Sequence, residues 1–241
     1  MDLGIDGKVA LVVAGSRGLG RATAEALAAE GVRIMLSSRR GETLAEARVA
    51  LAATGAEVAT RAADIADPDA AGALVEATVA AFGAVDIVIA NAGGPPAGHA
   101  LAVDDAQIHA ALEANLMSAV RLTRAAVPHM RRAGWGRICC ITSYSVVQPL
   151  PGLALSNLAR AGLWAWAKTA AQDLAAEGSG VTLNLLCPGP HATDRMRELG
   201  GSGVMGDPAD FGRVAAFICS RPAAFVNGAA LVVDGGATLA L

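Results

Sequence analysis

Short, mostly apolar runs recur along the chain at positions 9–14, 34–36, 85–90, 138–141, 181–186 and 229–233, interrupted only by Asp86, Thr182 and Asn184. Most of them do not alternate apolar with polar, and such runs suit strands covered on both faces. Between them the apolar positions take a helical spacing in alanine-rich segments, at 19–30, 42–53, 69–82, 104–132, 155–177 and 209–220. Strand alternating with helix predicts an α/β fold built on a doubly wound parallel sheet. No low-complexity linker, compositional break or repeat period divides the chain, so residues 1–241 read as one domain. Two irregular stretches rich in Gly and Pro, 93–103 and 190–207, each follow a strand. In an open α/β sheet those carboxyl-end loops are where ligands bind.

Composition narrows the function classes. At 54% hydrophobic and 17% charged, a chain of 241 residues buries a substantial core without staples. The 19 basic and 22 acidic residues leave a net charge of -3 with no basic run, which argues against nucleic acid as a partner. Cys139, Cys140, Cys187 and Cys219 form no CxxC pair and share no zinc-site spacing with histidine, so neither a disulfide framework nor a metal is expected, in keeping with a reducing cytoplasm. The first residues carry Asp2, Asp6 and Lys8 and lack the order of a signal peptide, and every apolar stretch is interrupted before 18 residues, so no membrane span is expected. Aromatic residues make up 3%, with a single tyrosine, Tyr144.

The first strand runs into Val13-Ala14-Gly15-Ser16-Arg17-Gly18-Leu19-Gly20, followed at once by a helix. A glycine-rich strand-to-helix turn lets the backbone approach a pyrophosphate and aims the helix amino end at it. The second strand ends Leu36-Ser37-Ser38-Arg39-Arg40. An acidic residue there would meet the ribose 2′-hydroxyl of NAD, whereas a basic one accommodates the 2′-phosphate of NADP. Arg39, Arg17 and the hydroxyl of Ser38 therefore place NADP ahead of NAD.

Further motifs extend this reading. Ala63-Asp64-Ile65, Asn91-Ala92-Gly93-Gly94, Asn115, Ile141-Thr142-Ser143, Asn184 with Pro188-Gly189, and Val233-Asp234-Gly235-Gly236 follow in order. With the turn VAGSRGLG, which looks like TGxxxGxG, this set resembles the short-chain dehydrogenase/reductase family over essentially the whole length, and within it the 3-oxoacyl carrier-protein reductases. The resemblance implies a Rossmann-like sheet of about seven strands flanked by helices, a nicotinamide cofactor, a small carbonyl or alcohol substrate, and a homodimer or homotetramer. It assigns cofactor contacts to Ala14, Ser16, Arg17, Gly18, Leu19, Gly20, Ser38, Arg39, Asp64, Ile65, Asn91, Ala92, Gly93, Arg160, Pro188, Gly189 and Thr193, a structural role to Asn115, and catalysis to Ser143.

One part of the pattern is broken. The family's serine is followed by a YxxxK pair, the tyrosine moving the proton at the carbonyl oxygen and the lysine lowering its pKa and holding the nicotinamide ribose. Aligning Ser156-Asn157-Leu158-Ala159-Arg160 with that pair puts Ser156 on the tyrosine and Arg160 on the lysine. A phenol with a pKa near about 10 can be tuned toward neutrality, whereas a serine hydroxyl is a far weaker acid. Three residues are candidates to supply the acid: Tyr144, if its loop turns inward rather than packing on the rim; His191, if it does not face solvent; and Ser156 in a relay with Ser143 and water. The cofactor site is thus expected to survive better than proton transfer. An NADP(H)-dependent oxidoreductase with an atypical proton donor leads, against a dehydratase or lyase on the same scaffold and a non-catalytic NADP-binding subunit. His99, His109 and His129 read as surface groups, Trp164 and Trp166 as packing, and residues 194–207 as a substrate lid.

Overall fold

The computed structural model describes residues 1–198, 200 and 203–239. Seven strands, β1 (Val9–Val13), β2 (Arg33–Ser38), β3 (Val58–Ala62), β4 (Ile87–Ala90), β5 (Gly136–Ile141), β6 (Val181–Pro188) and β7 (Ala230–Val233), form one sheet in the order β3-β2-β1-β4-β5-β6-β7. Every pairing is parallel, with Val12 opposite Leu36 on one side and Ile89 on the other. The α/β doubly wound expectation therefore holds.

The central strands β1, β4 and β5 are buried throughout, as their largely apolar runs require, with Arg137 of β5 the one charged residue among them. β3 was absent from the sequence-based strands. It reads Val-Ala-Thr-Arg-Ala and lies half-buried to exposed at the sheet edge, where one face needs no apolar cover. The helices are α1 (Gly18–Ala29), α2 (Gly41–Ala52), α3 (Ala70–Phe82), α4 (Asp105–Leu112), α5 (Ser118–Ala133), α6 (Ala154–Ala176), α7 (Asp194–Glu198) and α8 (Pro208–Ile218). Leu27, Leu44 and Phe211, from α1, α2 and α8, pack with Val12 and Ile89 on one side of the sheet. Leu74, Leu122 and Leu163, from α3, α5 and α6, pack with Leu11 and Val88 on the other.

The single helix expected over 104–132 is two α segments joined by a π turn, Glu113–Met117. Apolar periodicity does not register one inserted residue, and such bulges gather at functional sites. α4 begins with a reciprocal cap, Asp104 accepting from the Gln107 amide and the Gln107 side chain accepting from the Asp104 amide. α5 ends on Gly134 at φ +63°. The strand order reverses between β1 and β4, so the crevice for a ligand opens at their carboxyl ends.

Candidate active site

The turn leaving β1 is shaped by close approach. A Cβ on Gly20 would stand 2.4 Å from the Ala14 carbonyl oxygen and 2.7 Å from Asn91 Nδ2. Asn91 itself, at the end of β4, donates to that carbonyl at 3.4 Å and ties the two strands across the crevice. Ala14 takes φ +49°, the one positive value among the described non-glycine residues, at the place where the TG of the family motif has glycine.

α1 has Arg17 as its N-cap and no side chain accepting from its first-turn amides. A helix amino end left open in this way offers N–H donors and a positive dipole end to a phosphate. Thr193 stands across the turn, its Cγ2 3.7 Å from where a Gly18 Cβ would be, so the segment after β6 closes over the phosphate turn. Gly189 at the start of that segment lies so close to Asp234 that a Cβ would come within 2.5 Å of the Asp234 Cβ. The PG and DGG motifs thus brace one another.

At the end of β2, Ser38 is half-buried and Arg39 and Arg40 are exposed; with exposed Arg17, none of the three arginines pairs with a carboxylate among the described residues. Thr43 on α2 reaches the Ser16 hydroxyl at 3.4 Å and joins the two halves of this pocket. It carries no motif and went unnoticed in the sequence. Asp64 is exposed and accepts from the Ala66 amide, while Ile65 is buried beneath it. Ala92 is half-buried and Gly93 exposed, with open space where a Gly93 Cβ would be. An uncapped helix end, unpaired cations beside it and a glycine-lined floor together fit a dinucleotide phosphate.

On the other side of the crevice, Ser143 caps the short 3-10 turn Tyr144–Val146, its Oγ accepting from the Ser145 amide at 3.1 Å. The hydroxyl proton of Ser143 is thereby left for another acceptor. Tyr144 is half-buried and Ser156 is 9% exposed, and neither side chain has a hydrogen-bond partner among the described residues. Buried Ser145 also has a hydroxyl without a partner. Beneath them Thr142 donates to the Leu186 carbonyl at 3.1 Å and lies 3.2 Å from Cys187 Sγ. Burial pushes the Cys187 thiol up, so it stays neutral and is a packing group.

Arg160 is 7% exposed and sits between β5 and the π turn. Its guanidinium donates to the Ile141 carbonyl and to Asn115 Oδ1, both at 3.2 Å, and its Nε has no partner. Burial lowers its pKa to about 10, so it remains a cation at neutral pH. Arg195 on α7, whose like charge repels that of Arg160, reaches across to the Pro95 carbonyl at 3.1 Å and so links the two carboxyl-end loops. Sequence reading passed over it because the stretch 190–207 looked irregular. Of that stretch, residues 199, 201 and 202 lie outside the described residues.

His191 does not face solvent. It is 5% exposed, its Nδ1 lies 3.0 Å from the Gly189 carbonyl, and its ring meets Phe211 edge-on at 5.2 Å beneath Gly206. His99 and His109 are exposed and His129 pairs with Glu76 at 3.3 Å. No group of three His, Cys, Asp or Glu residues could hold a metal among the described residues, and no described helix is long and apolar enough to cross a membrane.

Comparison with known proteins agrees with this geometry. The chain is 33% identical to 3-oxoacyl-(acyl-carrier-protein) reductase of Synechocystis sp., covering 95% of this chain and 96% of that protein. It is 31% identical to the Escherichia coli enzyme of the same name, over 97% and 98% of the two chains. Its fold superposes with a TM-score of 0.93, at 31% identity and full coverage of both chains, on L-sorbose reductase from Gluconobacter frateurii, whose crystal structure holds NADPH and L-sorbose. The family model described as Enoyl-(Acyl carrier protein) reductase matches residues 13–238, from the end of β1 to just beyond the DGG turn, and the chain belongs to the short-chain dehydrogenase/reductase family.

Proposed function

We propose that this protein is an NADP(H)-dependent oxidoreductase that interconverts a carbonyl and an alcohol on a small molecule, with an atypical proton donor. The observation that carries the reading is the uncapped amino end of α1, faced by Thr193 and flanked by unpaired Arg17, Arg39 and Arg40. The relatives, reductases of which one was solved with NADPH bound, support it.

The amides after Ser16, with Thr193, would hold the pyrophosphate, and Arg39 with Ser38 the 2′-phosphate. Asp64 and Ile65 would hold the adenine end; Asn91, Ala92, Gly93, Pro188 and Gly189 would line the path to the nicotinamide, which supplies hydride when bound. Ser143 would hold the substrate oxygen through the proton its own acceptor bond leaves free. The proton at that oxygen would come from Tyr144, whose phenol is the strongest acid among the unpartnered hydroxyls near Ser143. Arg160 would keep a positive charge beside the ribose without shuttling a proton. A homodimer or homotetramer belongs to the same proposal.

A nicotinamide-binding protein without turnover is the second reading, favoured by one observation: Arg160 spends two of its donors on Asn115 and Ile141. Titration with NADPH and NADH, followed by single-turnover assays on a panel of ketones and 3-oxoacyl thioesters, separates the two. Binding with oxidation of NADPH matched to alcohol formed supports the oxidoreductase; tight binding with no turnover across the panel supports the second reading; no binding defeats both.

A further inference from the structure

At the amino end of β6, opposite the crevice, a second cavity of about 400 Å³ lies between α6, the start of β6 and the loop before β7. Arg137, Lys168, Thr182 and Phe225 line it. Arg137 is 2% exposed, yet its guanidinium meets only backbone carbonyls, those of Ser220, Gly136 and Gly180 at 2.8 to 3.1 Å, and the face of Trp135 at 4.5 Å. Lys168 extends over Gly228. Among the described residues no carboxylate comes within 4.0 Å of either cation.

A buried charge normally has a counter-ion, because desolvation is costly and carbonyl dipoles recover only part of it. Burial lowers the pKa of Arg137. The register of the sheet pairs Arg137 with Thr182, so both side chains leave the same face, and the buried Thr182 hydroxyl has no partner. Phe225 at the mouth is fully exposed, and the remaining wall is largely aliphatic, with Ala171, Leu174 and Val181 in it. Apolar walls with a few convergent polar groups make a small-molecule site.

We propose that this cavity binds a small organic anion, a carboxylate or phosphate monoester on an apolar body. Its charged group meets Arg137 and Lys168, and its body lies against Phe225. The ligand neutralises the two cations at a place separated from the nucleotide crevice by the length of β6.

Calorimetric titration of the purified protein with phenyl phosphate, benzoate, inorganic phosphate and the neutral benzyl alcohol tests this, with and without NADP⁺. Saturable binding of one phenyl phosphate or benzoate per chain is expected, unaffected by NADP⁺, with benzyl alcohol failing to bind; whichever anion binds tighter identifies the natural head group. Lys168→Met, at an exposed position, should weaken both aryl anions about tenfold. Phe225→Ala should weaken phenyl phosphate while leaving inorganic phosphate unchanged. Competition with NADP⁺, equal binding of benzyl alcohol, indifference to Lys168→Met and Phe225→Ala together, or no saturable binding at millimolar anion overturns the proposal.

Discussion

Asn115 Oδ1 accepts a hydrogen bond from Arg160 Nη2 at 3.2 Å, and this buried contact joins the π turn of the central helix to α6. The cation it serves has no carboxylate within 4.0 Å among the described residues. Removing the acceptor and removing the cation therefore have unequal effects. Asn115→Leu leaves a buried guanidinium short of a partner and should lower stability by about 2 kcal/mol. Arg160→Met strands two neutral acceptors but releases an uncompensated charge, so its loss should be the smaller. Urea unfolding of both variants decides this, and an equal or larger loss for Arg160→Met would show that the contact is not governed by the charge.

Ala14 holds a left-handed backbone at φ +49°. A side chain in that region costs about 1–2 kcal/mol, of which the greater unfolded-state freedom of glycine returns about 0.5–1 kcal/mol. Ala14→Gly should thus be neutral to stabilising by about 1 kcal/mol, a rise of a few degrees in Tm by calorimetry. A fall in Tm would mean that the Ala14 methyl packs productively.

The buried thiols shape the alkaline limb of stability. Burial raises the Cys140 pKa from 9.0 to about 12. The unfolded chain then loses this proton above about pH 9 while the folded chain keeps it, so the folded state binds more protons and stability falls with rising pH. Cys140→Ala removes that contribution, up to about 1.4 kcal/mol per pH unit. Its stability deficit relative to the parent, measured by urea unfolding from pH 8 to 10.5, should narrow above pH 9, and a constant deficit would contradict the assignment.

Arg39 is exposed and free of carboxylates among the described residues. Arg39→Asp should weaken NADPH by about tenfold or more, through loss of a charge-assisted contact and a new repulsion, and leave NADH unchanged or improved. Fluorescence titration with both nucleotides reads the ratio directly. Equal weakening of the two would point instead to damage at the phosphate turn.

Proton transfer can be apportioned among the hydroxyls. With an active substrate in hand, Ser143→Ala and Tyr144→Phe should each reduce kcat by about 10² or more, and Ser156→Ala by less than tenfold. The reverse order for Tyr144 and Ser156 would make Ser156 the donor.

Much of this was readable from the chain. Strands β1, β4 and β5 stood out because a central parallel strand must be apolar on both faces, and the phosphate turn stood out because Gly20 cannot carry a Cβ beside Ala14 and Asn91. β3 escaped because an edge strand is under no such demand, and the π turn escaped because one extra residue barely disturbs a helical period.

Order and spacing along the sequence were enough to determine the α/β alternation and to point to the nucleotide motifs, since each depends on local residue identity. Tertiary structure alone decided that Arg160 spans Asn115 and Ile141, that His191 is buried on Phe211, and that Arg195 links the two loops. Those contacts join residues from 19 to 100 positions apart. What a polar side chain meets at that separation is set by how sheet and helices pack, and it leaves no periodic trace in the chain.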